Sequence, residues 1–337
     1  MKKILLIIIL IATSIYAGDV ARKGTSGAEE VLIPVGARGI ATGGAFLANV
    51  TGLEALFYNP AGLDIYPQTE AMFSYISYLA DINISYFAIG TSLGDIGSIA
   101  FDLKSLDFGD IPITTIQFPD GTGDTYSPAF VTYGLTYSKV LTDRIGIGAN
   151  FKLVTENIGN TTATGFAVDA GVQYRFSPEL MIGATVKNIG TNMQYSGDDL
   201  TARTTIPGTV PGATSGSYQI LTESFLIPSS FQLSLTYALN FNEQNNLLFA
   251  GAYTANNAYE DAANFGLEYG FMNNFFVRGG YTYLVENQDQ SIYGLTFGAG
   301  VNYDIGGGVG FAFDYAYRAV QEFASANQVF TVKLMFQ

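Results

Sequence analysis

The architecture to expect from this chain is all-β: a 14-stranded antiparallel transmembrane β-barrel with a small N-terminal hatch inside the lumen. Three observations lead to it: bulky and small residues alternate along strand after strand, the chain opens on an export-type leader, and an even number of spanning strands is joined by alternately short and long connections. The alternation is clearest near the C-terminus. Val309, Phe311, Phe313, Tyr315 and Tyr317 share one face, while Gly310, Ala312, Asp314, Ala316 and Arg318 share the other, because side chains in a strand point to opposite faces with a period of two. Phe330, Val332, Leu334 and Phe336 repeat the pattern. The inner residues are too small and polar to form a packed core and the outer ones are large enough to face lipid, as in a barrel that spans a membrane.

Residues 1-17 read as a secretory signal peptide. Lys2 and Lys3 precede nine apolar residues, Ile4 to Ala12, and a stretch of small residues ends at Ala17, the layout of such a leader. Nine residues rise only about 14 Å as a helix, against a hydrocarbon core of about 30 Å, so a membrane anchor does not fit. The absence of Cys excludes a lipid anchor at the cut. The destination is the bacterial outer membrane, with its lipid as the surrounding solvent.

Composition agrees with this reading and removes several function classes. The formal charge of −14 becomes −16 once Lys2 and Lys3 leave with the leader, which disfavours nucleic acid as a partner. Charged residues are only 13% of the chain, less than a soluble sandwich normally displays. His and Cys are both absent, so neither a Ser-His-Asp or Cys-His constellation nor a His-based metal site can be built. No carboxylate cluster stands out for acid and base work. The expectation is a non-enzymatic protein with no cofactor and no metal.

Strands are expected at 70-79, 82-93, 98-107, 129-141, 145-157, 163-176, 180-189, 228-239, 246-255, 263-271, 274-285, 292-305, 309-320 and 327-336, giving a transmembrane barrel over 70-337. Each approaches the roughly 9 to 11 residues that a tilted spanning strand needs. Tight turns such as Thr142-Asp143-Arg144, Ser177-Pro178-Glu179 and Gly306-Gly307-Gly308 alternate with other connections that include the long segments 108-128 and 190-227. Short turns belong on the periplasmic side and long loops outside.

Fourteen strands enclose a lumen too wide for wall side chains to fill, since about eight already suffice for a filled interior. Residues 18-69, which lack a period of two, are the candidate hatch. Gly36, Gly39, Gly43 and Gly44 permit turns and close approach there, and Asn59 before Pro60, with Gly62 two residues on, reads as a turn.

The runs Val35-Gly36-Ala37-Arg38-Gly39-Ile40-Ala41-Thr42-Gly43-Gly44-Ala45-Phe46 and Ala55-Leu56-Phe57-Tyr58-Asn59-Pro60-Ala61-Gly62-Leu63 resemble the start of the FadL-related outer-membrane barrels, particularly the PorV and PorQ branch. The likeness covers the hatch by motif and the rest by strand pattern. It implies fourteen strands, an N-terminal hatch and a role in type IX secretion, with secretion-system subunits or secreted cargo docking on loops 108-128 and 190-227. FadL itself is longer and moves long-chain fatty acids through a side opening at a kink in its third strand. The third strand here ends before Gly109 and Pro112, which would interrupt pairing and mark a lateral-opening kink; the plain end of a strand is the competing reading.

Parity places Lys152, Asp169, Arg175, Lys187, Glu268, Arg278, Asp314 and Arg318 in the lumen, together with Asp102, Lys104, Glu156 and Lys333. Charge facing lipid would cost roughly 2 to 4 kcal/mol at the midplane. Their mixed signs suggest salt-linked packing against the hatch, with Glu29, Glu30 and Glu54 as partners for the basic groups. Parity also puts Ile76, Tyr78, Phe87 and Ile89 inside. Two functions follow, a secretion component and a FadL-like passive transporter of hydrophobic small molecules such as long-chain fatty acids, the latter with Phe46, Phe87 and Phe276 as apolar contacts.

Overall fold

The computed structural model describes residue 24 and residues 26–205, 215–321 and 325–336, so the expected signal peptide lies outside the described residues. Fourteen long antiparallel strands among them close into a barrel: β1 (Thr69–Ser77), β2 (Asn83–Ser92), β3 (Ser98–Asp107), β4 (Ala129–Thr142), β5 (Ile145–Ile158), β6 (Thr161–Arg175), β7 (Leu180–Gly190), β8 (Ser230–Asn240), β9 (Asn246–Asn256), β10 (Ala262–Phe271), β11 (Phe275–Leu284), β12 (Tyr293–Gly306), β13 (Val309–Val320) and β14 (Asn327–Phe336). Each pairs with its neighbours in sequence, and β1 pairs with β14 from Thr69–Phe336 to Ser77–Gln328, closing the ring.

Alternation decides which face is which. In β1, buried Met72, Ser74 and Ile76 alternate with exposed Phe73 and Tyr75; in β8, exposed Phe231, Leu235 and Tyr237 alternate with buried Ser230, Ser234, Thr236 and Ala238. An outward apolar band meets lipid, and the inner face carries small and polar groups. Strands meet at short turns on one rim, such as Asp143–Arg144 and Gly307–Gly308, and on the other at connections that are longer except for the two-residue turn Gly159–Asn160 between β5 and β6. The long-loop rim carries three added pieces of sheet. Ile111–Pro112 pairs with Thr125–Tyr126, Thr201–Thr205 with Ser215–Gln219, and Asn192–Met193 with Phe225–Leu226.

Residues 26–66 run along the inside of this wall in short turns and two short helices, α1 (Ala37–Ala41) and α2 (Ala55–Tyr58). Three apolar clusters hold them. Val35, Ile40, Leu53, Leu56 and Leu63 pack on Met72, Ile76, Ile84, Tyr86 and Ala88 of β1 and β2. Phe46, Leu47 and Val50 pack on Ala238, Leu248, Ala250 and Ala252 of β8 and β9. Ala28 and Val31 pack on Val154, Ala163 and Ala167 of β5 and β6 and on Met193 and Ile227 of the external loop. Removing this much apolar surface from water is the main force that orders a segment with so little regular structure.

Two expectations fail at this level. Phe87 does not face the lumen: it is 42% exposed and points outward with Ile89, while Ile84, Tyr86 and Ala88 point in. The inner face of β2 is apolar because it receives the first cluster, so both faces read alike and alternation loses its contrast. Nor is there a kink at the end of β3. Its ladder with β4 runs unbroken from Ser98–Ser138 to Asp107–Ala129, and its ladder with β2 is equally continuous. Gly109, with φ +70°, and Pro112 lie beyond the wall, the latter in the small external ladder.

Candidate functional site

The lumen is divided by the N-terminal segment into two cavities. The one on the short-turn side has a volume of about 980 Å³ and is lined by Arg38, Glu70, Arg144, Arg175, Glu268 and Lys333 among others. The one on the long-loop side has about 390 Å³ and is lined by Leu32, Ile40, Leu47 and Phe57 of the segment and by Lys187, Ile292 and Arg318 of the wall. Short turns face the periplasm in barrels of this kind, so the larger cavity is the periplasmic one.

The turn at Asn59 to Gly62 lies against the wall between them. Pro60–Gly62 form a single 3₁₀ turn capped by Asn59, whose Oδ1 accepts from the Ala61 amide at 3.2 Å. Capping explains why Asn stands before Pro here: Asn satisfies an orphan amide and Pro has none to satisfy. The other end of the Asn59 amide donates to the carbonyls of Leu47, at 2.9 Å, and Val172 of β6, at 3.1 Å. Gly171 and Gly148 leave the room for this approach, since a Cβ at either would overlap Asn59 or Pro60. Gly36, Gly43 and Gly44 take φ of +81°, +62° and +72°, which favours glycine. Gly39 instead serves close packing, since a Cβ there would overlap the Tyr58 ring.

Charged residues sort into two groups. Toward the periplasmic cavity, Arg38 of α1 grips Glu268 of β10 in two bonds of 2.8 and 2.9 Å. Arg278 of β11 reaches Glu268 and Asp314, both at 2.5 Å, and Lys333 approaches Asp314 at 3.7 Å. Deeper in the wall, Lys152 pairs with Asp169 at 2.5 Å beside a bulge of β7 at Asn188, whose side chain and amide join the same network. Lys187 and Arg318 differ. Neither has a carboxylate partner among the ion pairs of the described residues; the Lys187 ammonium stands 3.6 Å from the centre of the Phe57 ring, and the Arg318 guanidinium 3.1 Å from that of Tyr293. Both line the outer cavity.

The hatch acids do not pair with wall cations as expected. Glu30 and Glu54 bury carboxylate oxygens without hydrogen-bond partners, and Glu29 accepts from the Tyr259 hydroxyl. It is the segment's base, Arg38, that carries its ion pair with the wall. Arg38 and the wall glycines are what the sequence reading missed. Inward parity at Gly148 and Gly171 was the available signal, but it gave no partner. Of the apolar contacts, Phe46 is buried on the segment with Arg38 over its ring at 5.9 Å, Phe276 lines the periplasmic cavity, and Phe87 belongs to neither cavity. Arg175 is exposed at the periplasmic mouth. Among the described residues no group of three His, Cys, Asp or Glu side chains could hold a metal ion.

No family model and no curated protein matches the sequence. Solved structures do. The chain aligns over 91% of its length with 98% of the CymD monoaromatic hydrocarbon channel, at a TM-score of 0.57 and 14% identity. It aligns over 89% with 96% of the Pseudomonas putida toluene transporter TodX, at 0.57 and 14%, and over 90% with 98% of a Pseudomonas aeruginosa FadL homologue, at 0.50 and 11%. These neighbours lend no support to the narrower likeness to PorV and PorQ. What the chain shares with them, at identities this low, is their fold alone, a closed antiparallel β-barrel.

Proposed function

We propose that the protein is a passive conduit of the bacterial outer membrane for hydrophobic compounds, with residues 26–66 as its movable plug. The observation that carries this reading is the pair of cavities on opposite sides of one non-wall segment. A polar vestibule open to the periplasm and a smaller, more apolar chamber open to the outside are what a compound crossing in two steps would need, and the segment between them is held by packing and hydrogen bonds that can be exchanged. The hydrocarbon channels that share the fold support the same reading. Lys187, buried and without an ion pair among the described residues, and the ring-stacked Arg318 favour compounds with an anionic group, long-chain fatty acids among them, because a cation in a low-dielectric wall gains most from an incoming charge. No step in this function calls for a catalytic group.

The test is uptake by the native host with and without the gene. Loss of palmitate or toluene uptake, restored by the intact gene, is the expected result. Lys187→Met should lower palmitate uptake several-fold and leave toluene uptake unchanged. Unaltered uptake of both would remove the reading.

A second reading, a component of type IX secretion that docks cargo or partner subunits, draws on the external loops. Ile116 is 96% exposed at the tip of loop 108-128, and Leu221 is similarly bare. Purification in mild detergent followed by mass spectrometry separates the two: secretion subunits or secreted proteins in the eluate would favour this second role.

A further inference from the structure

The first residues of the N-terminal segment are fastened to the external loop. Ser26 forms a parallel bridge with Leu226, and the Gly27 amide donates to the Leu226 carbonyl at 3.1 Å. Phe225 lies so close that a Cβ on Gly27 would overlap its ring. Below this bridge, Ala28 and Val31 share one buried cluster with Met193 and Ile227 of the loop and with Val154, Ala163 and Ala167 of the wall. Tyr195 of the same loop donates to Glu156 of β5, and Tyr259 of the next external connection donates to Glu29. The loop's base, Asn192–Met193 paired with Phe225–Leu226, folds inward over Gly165 of β6 and so sits on the plug.

We infer that the plug is controlled from outside: residues 26–32 and the base of loop 190-227 form one clasp, and displacement of that loop frees the end of the plug that can swing. This inference rests on residues 26–66 being a plug. At its other end the segment continues covalently into β1 at Thr69, so of the two ends of the described segment 26–66 the clasped one can be released without breaking the wall. The other ties to the wall are spread along the segment: Lys104 of β3 holds the Glu30 and Ile33 carbonyls beside the clasp, and Ala37 to Thr331, Arg38 to Glu268, Ala45 to Ser234, Leu47 and Val50 to Gln173, and Asn59 to Val172 hold the middle. A compound or partner that engages the outer loop would therefore loosen the plug without entering the lumen.

The chain has no cysteine, so a double variant, Ser26→Cys with Leu226→Cys, gives one new disulfide across two residues already joined by an isolated parallel bridge. Hydrogen exchange of residues 36–63, read by mass spectrometry on the full protein in lipid, should slow at least tenfold on oxidation and recover with reductant. In planar bilayers the oxidised form should show at least tenfold fewer openings than the reduced form. A second variant, Met193→Asp, should speed exchange of 36–63, with the barrel checked by its heat-modifiable migration on gels. Equal exchange in the oxidised and reduced forms would overturn the inference. Exchange does not depend on cargo, so a clasp that responds while palmitate and toluene uptake is normal without the gene would remove the conduit and leave the clasp. Uptake that requires the gene beside an unresponsive plug would do the reverse.

Discussion

Burial and the neighbouring Glu156 carboxylate hold the proton on Glu30 up to about pH 8, far above its ordinary value of 4.5. The groups that face it are Glu156 of β5, Lys104 of β3, whose ammonium bonds the Glu30 carbonyl at 2.6 Å, and Tyr195 of the external loop, bound to Glu156. A segment released from the wall would let this proton go near pH 4.5. Docking therefore carries a contribution that is fully present below that value and is lost as the pH rises through about 8. Protection of residues 26–35, with the intrinsic rise of amide exchange with pH divided out, should fall between pH 4.5 and pH 8, and Glu30→Gln should remove that fall; an unchanged profile in the variant would assign the titration to another group. Phe87 offers a second residue-level test. Because it faces lipid near the middle of β2, Phe87→Arg should destabilise the barrel by about 2 to 4 kcal/mol, measured by urea titration in lipid vesicles. A negligible effect would return Phe87 to the lumen, where parity alone had put it.

At the scale of single elements, the strands were legible and their inner partners were not. The expected 98-107 and 309-320 match β3 and β13 at both ends, and 129-141 falls one residue short of β4. Here period-two contrast is strong, and Thr142-Asp143-Arg144 or a Gly run marks the turn. In β2 that contrast vanishes, since Ile84 and Tyr86 meet the apolar cluster of the N-terminal segment while Phe87 and Ile89 meet lipid. Gly109 and Pro112 announced an interruption, but pairing statistics say nothing of which side of the last ladder bond they fall on. The Asn59-Pro60 turn was readable because capping is local. Its anchorage on Val172 was not, because that contact joins residues more than a hundred positions apart. Gly171 records the anchorage in the wall. Gly171→Leu should drive Asn59 and Pro60 off β6, visible as faster proteolysis within residues 45–66, with the fourteen-strand circular-dichroism signal kept. A variant cut no faster than the wild type would mean that the turn does not need the contact.

Across the whole molecule, the sequence specified the wall through repetition and the lumen only through its leftovers. Fourteen strands share one rule, so the count survives a misread β2. The lumen has no repeating rule: Arg38 on Glu268, Arg278 between Glu268 and Asp314, and Lys187 over the Phe57 ring each depend on which elements become neighbours through closure. Closure also bears on how the molecule is made. The ring shuts at the ladder of β1 with β14, joining the first strand to the last, and the N-terminal segment enters β1 from the periplasmic rim while Ser26 and Gly27 are bound at the outer rim. A thread lying the length of a tube and tied at both mouths has either to be drawn through the finished tube or to be in place before the seam is sewn. The second course needs no passage through a filled lumen. Assembly of this barrel would then be a wrapping, in which residues 26–66 serve as the core around which the later strands are laid, and the C-terminal strand completes the wall only when they are inside.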